Sequence, residues 1–327
     1  MLLIVAHHYV VNSGLTMAGS PLVENQFSAR SLFYLFWGAW GKTGINCFLL
    51  ITGYFMCKQE ISIQKFLKLL AQVYFYHILI YGIFLLSGYE SFSVKLLLKI
   101  VLPFTSITDN FTGCFLLFFV CIPFLTILVQ NLGERKHRYL LGLLLVMYVL
   151  FGSVPFFTIT FNYVTWFSIV FLGVAYVRYY PIPLFDKTKL WFILMVVSIF
   201  LSVNSIICLA WVGTKFSKFL PFFFLADSNK ILAVTTAFSS FMFFKNWKIP
   251  DCPIINAIAS TCFGVLLIHA HSDTMRRWLW QDVLNNVGFY YSDYYIIHAI
   301  VSVLVIFFVC SCIEYVRIQI FKRIGFR

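Results

Sequence analysis

The sequence carries little charge. Only 11% of its 327 residues are Asp, Glu, Lys or Arg, with 12 carboxylates against 24 lysines and arginines. A soluble domain carries about 25% charged residues, so a water-facing globule is excluded. Disorder is excluded as well, because it requires high charge and few aromatics, and 20% of these residues are aromatic. Several catalytic signatures are missing: G-x-S-x-G, H-E-x-x-H, the Walker A loop and G-x-G-x-x-G. Their absence removes the hydrolase elbow, the zinc-protease helix and the glycine loops that cradle phosphates. H-x-x-x-x-D is also missing, which argues against the soluble glycerolipid acyltransferase type. No C-x-x-C occurs, and the nine cysteines lie mostly in apolar runs, where thiols act as small hydrophobes rather than as disulfide or metal ligands. No basic block of five or more residues accompanies the net charge of +12, so nucleic acid is not the implied partner.

What the chain has is apolar surface: 61% hydrophobic residues and a mean hydropathy of +0.89. A lipid bilayer accepts helices or closed barrels only. Barrel strands alternate polar and apolar residues, whereas Ile193–Ala210 and Ile296–Ile313 are almost unbroken. The expected fold is therefore all-α: a polytopic membrane helix bundle forming a single domain over residues 1–327. At roughly 20 residues per span, ten candidates emerge, at about 1–15, 34–57, 66–87, 112–130, 138–154, 163–180, 190–212, 229–245, 254–270 and 295–316. The amphipathic stretch Val94–Leu102, closed by Pro103, is expected to lie along the membrane surface. Lysine and arginine are denser in the loops around Lys58–Lys68, Arg135–Arg138 and Lys187–Lys189 than in those on the opposite side. The positive-inside rule then puts both termini in the cytoplasm of a multi-pass cell-membrane protein. The first candidate span is short and has no basic anchor, so the first helix is expected to be N-terminally truncated.

Histidines inside a membrane are costly and are functional candidates by default. His7 and His8 form an adjacent pair in the first apolar run. Imidazole can take a proton from a hydroxyl and return it. The plainer alternative is a polar side chain hydrogen-bonded to a neighbouring helix. In the second run, glycines 38, 41 and 44 allow close backbone approach, with Lys42 beside them as a polar group or a snorkelling lysine. His77 and His298 stand alone on apolar faces and His137 sits in a charged loop, so all three read as structural.

The run His7-His8-Tyr9, followed by Gly41-x-x-Gly44-Ile45, Phe48 and Thr52-Gly53-Tyr54, resembles the acyltransferase 3 family of integral membrane enzymes. Lys65-Phe-Leu-Lys68 is similar to that family's basic R-x-x-R pair, and Gly264-Val-Leu-Leu-Ile-His269 to its ninth-span G-V-Y-L-I-H motif. The chain departs from the pattern at Thr52, at Gly113-Cys114 and at Ala270, and it lacks the first-helix arginine. The resemblance implies transfer of an acyl group, most often acetyl, from acetyl-CoA or another acyl-CoA donor. The acceptor would be a hydroxyl of a cell-surface polysaccharide or its lipid-linked precursor. His8, with His7 beside it, would be the base or carry the acyl group. Lys65 and Lys68 would meet the donor's phosphates, although they also serve as ordinary membrane anchors. Lys42 and Asn46 would steady the thioester oxyanion. His269, Arg276 and Arg277 would hold the acceptor, with His271 and Asp273 in a solvated collar around them. Two other readings stay open, a precursor transporter or flippase and a catalytically inactive relative.

Overall fold

The computed structural model describes residues 1–102, 111–157 and 159–325, and among them every regular element is helical. In chain order these are α1 (Leu2–Val11), α2 (Pro21–Glu24), α3 (Ala29–Gly38), α4 (Gly41–Met56), α5 (Ile63–Leu86) and α6 (Val94–Val101). Then follow α7 (Phe111–Leu145), α8 (Phe151–Ser153), α9 (Tyr163–Tyr179), α10 (Thr188–Phe216) and α11 (Ile231–Asn246). The chain ends with α12 (Pro253–His269), α13 (Asp273–Arg277), α14 (Asn286–Tyr290) and α15 (Tyr295–Arg323).

Among the described residues, four helical stretches are by length and composition able to cross a membrane: Ile63–Leu86, Phe111–Ser153, Thr188–Phe216 and Tyr295–Arg323. A fifth is present if Pro253–His269 and Asp273–Val283, which meet at a 94° bend, count as one span. The expected ten spans are thus not supported. The physical reason is that several apolar runs do not make one long helix. The second run breaks at Trp40 (φ −93, ψ 4), leaving α3 and α4 as separate pieces. α1 has ten residues, a rise of about 15 Å. α9 and α11 stop at 17 and 16 residues.

The long stretch from Phe111 contains a reversal. Gly133 has φ 70 and ψ 160, a backbone state open to glycine and closed to most L side chains. Before it, Phe111 packs on Phe167 and Gln130 reaches Tyr179, so this leg runs alongside α9 in the same direction. After it, His137 packs edge-on against Tyr176 and Tyr180 while Leu141 lies beside Gly173. The second leg therefore returns along α9.

The amphipathic segment forms α6. Ser93 N–H donates to Tyr81 Oη at 3.4 Å, and Tyr74 O–H donates to the Val101 carbonyl at 2.7 Å. α6 therefore doubles back beside α5, and its expected stop at Pro103 lies outside the described residues. Unlike the flanking helices, α1 is central. It packs on α3, α4 and α15, with Ile4, Val5, Tyr9 and Val10 buried. On one side the core gathers Tyr9, Tyr34 and Trp280; on the other it gathers Phe118, Trp166, Phe167 and Phe171. No disulfide forms among the described residues.

Candidate functional site

α1 approaches the end of α3 and the start of α4 closely because the facing positions are glycine. A Cβ on Gly38 would meet Val10 at 2.8 Å, and one on Gly41 would fall within the His7 side chain. His7 is held there by its Nδ1–H, which donates to the Gly38 carbonyl at 2.5 Å. The close backbone contact expected of these glycines is present and positions α1. Gly41→Ala must push His7 or α1 aside, an overpacking cost of about 1–3 kcal/mol. Thermal melting in detergent is expected to show a lower transition for Gly41→Ala than for the wild type; an unchanged transition would mean that α1 is not seated as described.

His8 projects to the other side of α1 and meets the end of α12. His8 Nδ1 and His269 Nε2 lie 3.0 Å apart. The proton positions follow from the next bond, in which His269 Nδ1 is 2.6 Å from the Val265 carbonyl. A carbonyl only accepts, so the neutral His269 ring carries its proton on Nδ1 and offers a lone pair at Nε2. His8 Nδ1–H donates to that lone pair, and His8 Nε2 keeps its own lone pair free. The second imidazole thus fixes the tautomer of the first, as in a base-and-orienter pair. His269 is fully buried, with Trp280 edge-on to its ring.

His8 lines a polar cavity of about 230 Å³, together with Asn12, Lys42, His77, Tyr163, His271 and Arg276. Lys42 Nζ donates to Tyr163 Oη at 2.8 Å and stands 3.9 Å from the Asp227 carboxylate. Arg276 Nη1 pairs with Asp273 at 2.9 Å. Four buried nitrogens on this wall have no partner in the protein: Asn12 Nδ2, His77 Nδ1, His271 Nδ1 and Arg276 Nε. Leaving a buried donor unpaired costs about 1–3 kcal/mol. Asn12 Nδ2–H and Arg276 Nε–H are fixed donors that suit oxygen acceptors on a ligand, whereas each imidazole Nδ1 donates or accepts according to its tautomer.

The sequence-derived candidates therefore divide. His7, His8, Lys42 and Arg276 share the cavity, and His269 touches it through His8. Asn46 does not face the cavity. Its Nδ2 donates to the Ser228 carbonyl at 2.7 Å and its Oδ1 accepts from Trp166 Nε1 at 2.9 Å, so both ends of the amide tie helices together. Arg277 is turned away, its guanidinium 5.3 Å over the Tyr89 ring. Lys65 is exposed and donates to the Glu60 carbonyl at 3.0 Å. Lys68 lines a separate basic groove with Gln72, Arg317 and Lys322. Twelve residues of α5 separate Lys65 from His77, a rise of about 18 Å.

Two histidines read as structural or as part of a collar, His77 and His271, belong to the cavity wall, with ring centroids 5.1 Å apart and nearly perpendicular. Their signal was an imidazole within an apolar run for His77 and just past the end of one for His271, which does not reveal that they meet. Asn12 and Tyr163 gave no signal at all. His298 and His137 do have structural partners: His298 Nδ1 lies 2.7 Å from Tyr9 Oη, and His137 Nε2–H donates to the Leu172 carbonyl at 3.0 Å. Among the described residues, no three His, Cys, Asp or Glu side chains converge to hold a metal ion. Comparison with protein-family models, with curated proteins and with solved structures finds no match for this chain.

Proposed function

We propose that the chain is a membrane O-acyltransferase that moves an acyl group, acetyl by preference, from a coenzyme A thioester to a carbohydrate hydroxyl. The observation that carries this reading is the His8–His269 pair, whose free His8 Nε2 belongs to a side chain lining a cavity rich in unpaired nitrogens. The ordered motifs shared with the acyltransferase 3 family add to it. In this reading the cell membrane holds the bundle with both termini in the cytoplasm, and the acceptor is a surface polysaccharide or its lipid-linked precursor.

The chemistry balances. His8 Nε2 takes the proton of the acceptor hydroxyl as its oxygen attacks the thioester carbonyl carbon. The carbonyl electron pair moves onto oxygen, where Arg276 Nε–H and Asn12 Nδ2–H are the unpaired donors available to it. Collapse re-forms the carbonyl and breaks the carbon–sulfur bond. The thiolate then takes the proton from His8, leaving an ester and free coenzyme A. This reading moves the oxyanion role from Asn46, whose amide is already used, to Asn12 and Arg276. Lys68, with Lys322 beside it, offers the donor's phosphates point charges at the basic end of α5, the Arg317 charge in the same groove being already paired with Glu314.

Purified protein in nanodiscs, given radiolabelled acetyl-CoA and a membrane glycolipid extract, is expected to pass label to carbohydrate. If no label is transferred and acetyl-CoA does not bind, the reading is wrong and transport becomes the better account.

A further inference from the structure

We propose that the apolar groove between α5, α12 and α15 holds the hydrocarbon tail of the acceptor, which makes the acceptor a glycolipid rather than a free glycan. This rests on the acyltransferase reading and narrows it. The groove encloses about 760 Å³. Its floor is buried, formed by Ile80, Phe84, Ile306 and Cys310, while Ile83 and Val309 on its rim are exposed. α5 and α15 are both long and apolar enough to cross a membrane, so a groove between them opens onto lipid tails.

Any membrane protein has apolar clefts, and two further observations set this one apart. The first is continuity with the candidate site. His269 lines the groove, and the same ring accepts the His8 proton from the cavity side. A tail in the groove therefore lies one imidazole away from the base. The larger apolar cleft beside α4, α10 and α11, about 900 Å³, is lined by none of the histidines or arginines of the cavity.

The second is the pair of arginines on α13. Arg276 lines the cavity, while its neighbour Arg277 lies over Tyr89 at the outer end of the groove. Asp282 accepts from Tyr89 O–H there, and Glu90 accepts from Thr274 O–H at 3.1 Å. One guanidinium, one phenol and two carboxylates offer both donors and acceptors without a net positive field. That mixture suits the hydroxyls of a neutral sugar better than an anionic headgroup. α13 spans five residues, a rise of about 7.5 Å. The two arginines of this short helix thus stand one at the cavity and one at the groove.

The test compares two acceptors in nanodiscs with acetyl-CoA as donor. One is the intact membrane glycolipid extract, and the other is the water-soluble glycan released from it enzymatically. Wild-type kcat/KM is expected to be at least about tenfold higher for the intact lipid, an order typical of modest binding differences. Val309→Trp and, separately, Ile83→Trp place an indole across the groove from its exposed rim. Each is expected to remove that preference while leaving the rate on released glycan and the KM for acetyl-CoA unchanged. Equal wild-type rates on both acceptors, or a preference that survives both substitutions, overturn the tail site and leave the acyltransferase reading standing. Label on neither acceptor overturns that reading, and the tail site with it.

Discussion

Replacing His8 with alanine is expected to lower acyl transfer by about 10²–10⁴-fold, the range supplied by a positioned general base. The loss should fall on kcat, with the KM for acetyl-CoA little changed, because the basic groove at Lys68 belongs to another part of α5. His269 acts through His8 and is a positioning residue. His269→Ala removes the acceptor of the His8 Nδ1–H bond, so the ring loses its fixed tautomer and orientation. A smaller loss is expected, roughly 10–100-fold, comparable with other outer partners of a functional histidine. The double variant should be no worse than His8→Ala alone, since His269 contributes nothing once the base is gone. Transfer of radiolabelled acetyl to the glycolipid extract measures all three. Wild-type rates in His8→Ala protein that inserts normally would remove this histidine from the mechanism.

Glu314→Ala is expected to be the most destabilising single substitution in the helix bundle. The Glu314 side chain is almost wholly buried in α15 and pairs with Arg317 through both oxygens, at 2.6 and 2.8 Å. Tyr76 O–H and Gln72 Nε2–H from α5 also donate to it, at 2.6 and 3.0 Å. Removing the carboxylate leaves the Arg317 guanidinium buried without its counter-ion. Breaking a buried pair in this way costs about 3–5 kcal/mol, whereas replacing both partners by apolar residues is close to neutral. Glu314→Leu combined with Arg317→Met should therefore recover most of the stability lost in Glu314→Ala. Denaturation in a fixed detergent separates the two outcomes. If the double variant is as unstable as the single one, the network contributes through packing and not through charge.

Much of this was legible in the sequence. Unbroken apolar runs with few charges require helices in a bilayer, and the structure is helical with several helices able to span one. Helix number was less legible, because hydropathy averages over a window and does not register a broken backbone. Trp40 interrupts an apolar run without adding a charge, whereas the reversal at Gly133 falls in the gap between the candidate spans 112–130 and 138–154. α6 shows the same limit. Amphipathicity predicts that a helix has two faces, but the hydrogen bonds that Tyr74 donates and Tyr81 accepts decide what it lies against.

For the candidate site, the sequence alone determined which groups are chemically conspicuous: imidazoles, a lysine and arginines within or beside apolar runs, and glycines spaced to let helices touch. That follows from composition, since any polar group in hydrocarbon has to be paired or used. Only the tertiary structure decided which of them act together. His8 and His269 are 261 positions apart and meet because α1 and α12 are brought together in the bundle. Asn46 and Arg277 carry equally suitable chemistry, yet one is consumed by Ser228 and Trp166 and the other turns to Tyr89. A hydrogen bond acts over about 3 Å, so chemistry depends on which side chains the packing of distant helices places within that reach.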